Sequence, residues 1–325
     1  MHFPTDINLL WDSVRKSVVL TANLSTDFGL TIWRQYEFNL RQFKKLYRIA
    51  QKIKHSTSKS EEKKKIKVEE LIKAYQNYLD RALLLINRIE STLNLMSSLT
   101  SKDPQSLGIF NKKHITIQAF ITHAIRQIDQ IERRVIKGEK IPHKEKVFSI
   151  FEEHTEWISK GKAGVPVELG LRVCVLNDQL GFTLHHCVME KETDELVAVP
   201  MVKKAKERFS QLKSCSFDKG FHSVENQVNL KKYLDFVVLP KKGKCNKYEH
   251  EHQNSEGFKT KRRQHSAVES DINALEIHGL DKCPDQGIVG FKRYVALAIL
   301  GRNIQKLGAL LLEQEMSRRK KKLAA

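Results

Sequence analysis

The sequence predicts an α/β domain preceded by an all-helical region, and three observations carry that expectation. Apolar residues recur at helical spacing through residues 40–140. Strand-length runs of Val, Ile, Leu and Phe take over after Pro142, and strands then alternate with helices, an order that implies parallel pairing. The 325 residues suffice for two domains of about 150 residues each. With 40% hydrophobic and 29% charged residues, the composition is that of a folded, soluble protein and not of a disordered one. The longest uncharged apolar runs, residues 82–86 and 294–300, are far shorter than the ~20 residues of a membrane span, so no integral membrane protein is expected. Residues 1–12 carry Asp6 and Asp12 and lack the basic start of a signal peptide.

In chain order, a first helix is expected over residues 7–18, entered through the Pro4, Thr5, Asp6 turn. Val68, Leu71, Ile72, Tyr75, Leu79, Ala82, Leu83, Ile86 and Ile89 fall mostly three and four apart, which aligns them on one face of a long amphipathic helix. Pro104 and Gly108 break it. Ile121, Ala124, Ile125, Ile128, Ile131 and Val135 mark a second helix, ended by Gly138 and Pro142, expected to pack antiparallel on the first. Residues 52–67, rich in Lys, Ser and Glu, read as a solvated connector. Beyond Pro142, residues 146–157, 168–177 and 181–190 read as strands, the last two as a hairpin around Asn177, Asp178 and Gly181, with another turn at residues 160–164. A helix within 194–212, a strand at 214–217, a helix at 225–233 and a strand at 236–239 follow. The polar stretch 241–263 leads into helices at 266–278 and 291–315. Antiparallel strands followed by helix, strand, helix, strand and helix is the order of a ribonuclease-H-like domain, a mixed sheet flanked by helices. The expected limits are a helical region at 1–142, the α/β domain at 143–316 and a basic tail at 317–325.

Lys and Arg number 57 against 38 Asp and Glu, a net charge of +19, so the chain is drawn to polyanions, nucleic acid first among them. The basic residues are spread along the chain instead of lining one amphipathic helix, which disfavours a membrane surface as partner. Cys174, Cys187, Cys215, Cys245 and Cys283 are odd in number and form no CxxC pair, which argues against a disulfide framework or a zinc ribbon and for a reducing cytoplasm. His185 with His186, and His250 with His252, lack the spacing of metal ligands. Neither a Gly-x-Ser-x-Gly elbow nor a Walker-type glycine loop occurs, so hydrolase and NTPase readings are weak.

The candidate chemistry lies at Asp218 and Glu269. Asp218 directly follows the strand residues Cys215, Ser216 and Phe217, at the carboxyl end of a strand, where side chains face the crevice of an open α/β sheet. Glu269 opens a helix that can pack back on that sheet. Two such carboxylates can meet at one Mg²⁺, which prefers hard oxygen ligands. The competing structural roles are a turn residue for Asp218 and a favourable contact with the helix dipole for Glu269.

Residues 217–226, with Phe217, Asp218, Lys219, Gly220, Phe221, His222, Ser223, Glu225 and Asn226, resemble the segment around the second catalytic Asp of DDE-type insertion-sequence transposases. Val238, Leu239, Pro240, Lys241, Lys242 and Gly243 resemble the strand and basic turn that follow it. Residues 262–273 resemble the helix bearing the family's catalytic Glu, which falls on Glu269, and residues 291–307 the closing helix. Lys160, Gly161 and Lys162, then Val167 to Gly170, resemble the family's entry into a sheet strand. Together these cover residues 148–312. His2, Phe3, Pro4, Thr5, Asp6, Ile7, Asn8, Leu9 and Leu10 resemble a segment that, in one branch of the family, follows the strand holding the first catalytic Asp and precedes a helical insertion.

The resemblance implies DNA transposition: three carboxylates hold two Mg²⁺ ions, or Mn²⁺, for strand cleavage and joining at transposon ends. Asp218 and Glu269 would be ligands. The first acid would lie upstream of Met1, making this a shortened transposase, inactive as written. Within the chain, Glu152 is a candidate for that acid if residues 148–156 form the first strand of the sheet, and Asp6 is a second, although helix capping suits it better. Asp178 reads as a hairpin-turn residue, while Asp194 and Asp271 have no positional argument. Lys219, Lys241, Lys242, Lys244, Arg262 and Arg263 are candidates to neutralise DNA phosphates, a positioning role. Double-stranded DNA is then the partner, with a homo-oligomer assembling on it, no membrane, and a place on the nucleoid in the cytoplasm. The alternative is a non-catalytic DNA-binding remnant or regulator of transposition.

Overall fold

A computed structural model describes residues 3–57, 60–100, 104–159 and 167–323, and the chain divides into two compact units, Met1–Thr155 and Glu156–Ala325. The turn expected at residues 160–164, together with Met1 and His2, lies outside the described residues.

The first unit is helical: α1 (Asp6–Asp27), α2 (Tyr36–His55), α3 (Glu61–Thr100) and α4 (Pro104–Ile131), closed by a wide π turn at Glu132–Ile136. The helical rhythm read from Val68 to Ile89 does form one helix. Its buried stripe, Tyr75, Tyr78, Ala82, Leu85 and Ile89, alternates by three and four residues. α3 packs on α4, but the most extensive partner of α4 is α1, whose Ile7, Leu10, Val14 and Val18 enter the same core. The helix expected at 7–18 therefore runs on to Asp27, because Ala22 and Leu24 continue the buried face. An aromatic stack runs through this core, with Trp11 and Phe43 ring centres 5.5 Å apart and Phe43 and Tyr78 4.6 Å apart.

Residues after Pro142 do not begin the second unit. Glu145 accepts from Arg133 at 2.6 Å, His123 pairs with Glu153 at 2.9 Å, and Phe151 meets Phe120 with ring centres 5.8 Å apart. The strand expected over 146–157 is confined to its last residues, β1 (Glu156–Ser159). The Ser149 hydroxyl accepts from the Phe151 and Glu152 amides and bends the chain instead.

The second unit mixes helices with three two-stranded ladders. β1 pairs antiparallel with β2 (Val167–Gly170), and β3 (Arg172–Asn177) pairs antiparallel with β4 (Thr183–Met189) as the expected hairpin. α5 (Asp194–Arg208) follows, then β5 (Ser214–Ser216), α6 (Val224–Leu230) and β6 (Phe236–Val238), with β5 and β6 parallel. The strand and helix order after Asn177 thus follows the sequence reading, while one continuous sheet is not formed. The polar stretch 241–263 is itself helical, as α7 (Lys247–Asn254) and α8 (Glu256–Gln264), before α9 (Ala267–Leu275) and the long α10 (Gly287–Leu323). Asn246 and Glu249 form a reciprocal capping box at the start of α7, and Phe258 anchors α8 at 1% exposure. By length and composition alone, α10 is apolar enough to cross a membrane, which the count of uncharged residues had not indicated. Its first turns pack on the hairpin through Val295 and Ile299, as those of a soluble core helix do.

Candidate functional site

The turn after β5 is held by its own side chains. An Asp218 carboxylate oxygen accepts the Lys219 amide at 2.8 Å, and the Ser223 hydroxyl accepts the Asn226 amide at 3.0 Å, which starts α6. The buried Asn226 side chain donates to the carbonyls of Phe221 at 2.9 Å and Glu195 at 2.8 Å, tying the turn to the first turn of α5. Asp218 is exposed at the carboxyl end of β5, as the sequence implied. Beside it, a Cβ on Gly220 would stand 2.5 Å from Asp194 Oδ2, and Asp194 in turn accepts from Arg172 at 3.4 Å. Asp194, which the sequence reading left without an argument, is therefore the acid packed against this turn. His222 is buried, and desolvation, followed by the charges of Lys241 and Lys242, lowers its pKa from the ordinary 6.5.

Glu269 lies in the first turn of α9, exposed. Its helix is anchored by Asp271, which accepts from Asn177 at 3.1 Å and pairs with Arg302 at 3.7 Å. The contacts around Asp218 thus reach the Arg172 end of β3, while those of α9 reach its Asn177 end. No hydrogen bond or ion pair joins Asp218 to Glu269 among the described residues.

Neither candidate for a first acid stands on a strand. Asp6 opens α1 and is held by Arg134 at 2.6 and 3.0 Å, an ion pair inside the helical unit, where Tyr75 also faces Arg134. Glu152 lies in the bend that follows Ser149, 3.5 Å from His154. Magnesium favours carboxylate oxygens of the kind that Asp218, Glu269 and Asp194 offer. Among the described residues, however, no three His, Cys, Asp or Glu side chains are gathered to hold an ion, so this set does not by itself fit a two-ion centre.

The six basic candidates fall into two groups. Lys241 is neutralised by Glu249 at 2.6 Å, and Lys242 by Glu195. The Lys241 contact, followed by the Asn246 amide, also draws the Glu249 pKa down. Lys219, Lys244, Arg262 and Arg263 are exposed and have no acidic partner among the described residues. Asn246 followed by Glu249 was the sequence signal for the pairing of Lys241, since a capping box fixes where that carboxylate stands. Comparison of the chain with family models, with curated proteins and with solved structures returns no match.

Proposed function

We propose that this chain is a DNA-transposition protein acting at transposon ends, of the class that cleaves and joins strands by metal-dependent phosphoryl transfer on a ribonuclease-H-like domain. The observation that carries the reading is the Asp218–Asn226 turn: an exposed carboxylate at the carboxyl end of a strand in a parallel pair, fixed by Ser223 and Asn226 beside Asp194. The exposed cations Lys219, Lys244, Arg262 and Arg263 support DNA as the partner, since cations without acidic partners are free to meet phosphates.

A second reading, a DNA-binding regulator that occupies ends without cutting them, is favoured by the separate anchoring of Asp218 and Glu269. The test is to incubate the full chain with DNA carrying the ends that flank its gene, in Mg²⁺ or Mn²⁺, with Asp218→Asn and Glu269→Gln as controls. Cleavage abolished by both substitutions supports the transposase. End binding without cleavage supports the regulator, and binding to neither end nor random DNA overturns both.

A further inference from the structure

The hairpin β3–β4 and the parallel pair β5–β6 occupy one layer. On one face, Cys174, Leu176 and Met189 of the hairpin join Cys215 and Val237 of the pair in a single core against α5. On the other, Val173 and Val175 meet Val295 and Ile299 of α10, while Ser214 meets Lys261 of α8, whose ammonium stands 2.9 Å from the Ser214 hydroxyl and 5.3 Å from the centre of the Phe236 ring. Alternation along the strands is thus in phase across both ladders, as within one sheet.

β3 and β5 are the inner strands of this layer. Cys174 senses the charges of both Cys187, its own ladder partner, and Cys215 across the space. The end of β5 meets the start of β3 through Gly220, Asp194 and Arg172. Yet β3 pairs only with β4, and β5 only with β6. Each inner strand therefore turns an unpaired row of backbone N–H and C=O groups toward the other, inside a layer covered by helices on both faces. Such groups are costly to leave without partners, and an extended backbone satisfies both rows at once. The Ser216 hydroxyl, buried in β5 without a hydrogen-bond partner, lies in the same place.

The geometry points to a strand slot between β3 and β5, filled by an extended apolar segment of a separate polypeptide. The occupant is apolar along its length because a strand covered on both faces has no solvent side. It comes from another polypeptide because each described strand of this chain already has its partner. Strand addition at a sheet edge is an established mode of peptide capture, with main-chain bonds supplying affinity. The slot follows from the layer whether the chain cuts DNA or only binds it.

The test is hydrogen exchange on the full chain, with and without a lysine-flanked peptide of about six Val and Ile residues, the usual strand length. A control peptide carries proline at alternate positions and cannot form a ladder. In the free chain, the outward amides of β3 and β5 are expected to exchange faster than those joining β3 to β4. With the peptide at about ten times its Kd, the outward amides slow by about tenfold, and the control leaves them unchanged. Outward amides already slow in the free chain, no slowing with the peptide, or equal slowing with the control would each overturn the slot. DNA binding measured on the same samples separates this result from the proposed function, which fails only if DNA is not bound.

Discussion

Gly220 has no room for a side chain, because the Asp194 carboxylate stands 2.5 Å from where its Cβ would be. The fit joins the turn that carries Asp218 to the N-terminus of α5. Gly220→Ala forces Asp194 to rotate away from Arg172, and overpacking of this kind costs about 1–3 kcal/mol. Urea denaturation of Gly220→Ala, Asp194→Ala and the double variant checks this. The glycine substitution should cost much less in the Asp194→Ala background, and equal costs in both backgrounds would show that the contact is not the cause.

Asn226 makes a second tie, with one amide group serving the carbonyls of Phe221 and Glu195. Asn226→Ala leaves both carbonyls without this donor in a buried place, and each unsatisfied group costs about 1–3 kcal/mol. Asn226→Asp is expected to be worse, since one carboxylate oxygen would face carbonyl oxygens. A lower denaturation midpoint for Ala, and lower still for Asp, is the predicted order.

The legible part of the fold was the part governed by local periodicity. Tyr75, Leu79, Ala82, Ile86 and Ile89 announce α3 from their spacing alone. The motif from Phe217 to Asn226 likewise placed Asp218 at its strand end. What failed depended on contacts distant in sequence. Phe148, Ile150 and Phe151 have strand-like character, but Phe151 is drawn to Phe120 and the segment turns. The polar stretch after Lys241 hid two helices because Phe258 is its only buried apolar side chain, although Asn246 and Glu249 carried a capping signature. Asp194 was invisible because its contact with Gly220 spans the whole of α5.

The pH dependence of stability follows from three histidines. Burial lowers the pKa values of His185, His186 and His222 below the ordinary 6.5, with positive neighbours adding to it. The unfolded chain therefore binds protons first as pH falls. The stability contributed by the neutral rings is fully present above about pH 6.5 and is lost as pH falls through the folded-state values. Around His222 the charged groups are Lys241, Lys242 and Glu249. Denaturation midpoints should fall between pH 7.5 and pH 5, and His222→Gln should flatten that slope. A slope unchanged by the substitution would remove His222 as a contributor.

The last expectation concerns which cations meet DNA. Lys241 and Lys242 are occupied by Glu249 and Glu195, so releasing them to a phosphate costs an existing ion pair. Lys219, Lys244, Arg262 and Arg263 have no such competition among the described residues. Each phosphate contact contributes about 0.9 to the slope of log binding constant against log salt. Single substitutions of the four unpaired residues by Gln should each lower the slope by about that amount and weaken binding to all sequences alike. Lys241→Gln and Lys242→Gln should leave the slope nearly unchanged, because the carboxylates they release repel phosphate whether or not the lysine once touched it. Fluorescence anisotropy on labelled duplex across a salt series measures both sets. An equal loss of slope from the paired and unpaired residues would show that the ion pairs open when DNA binds, and would move the interface onto the Lys241–Glu249 turn.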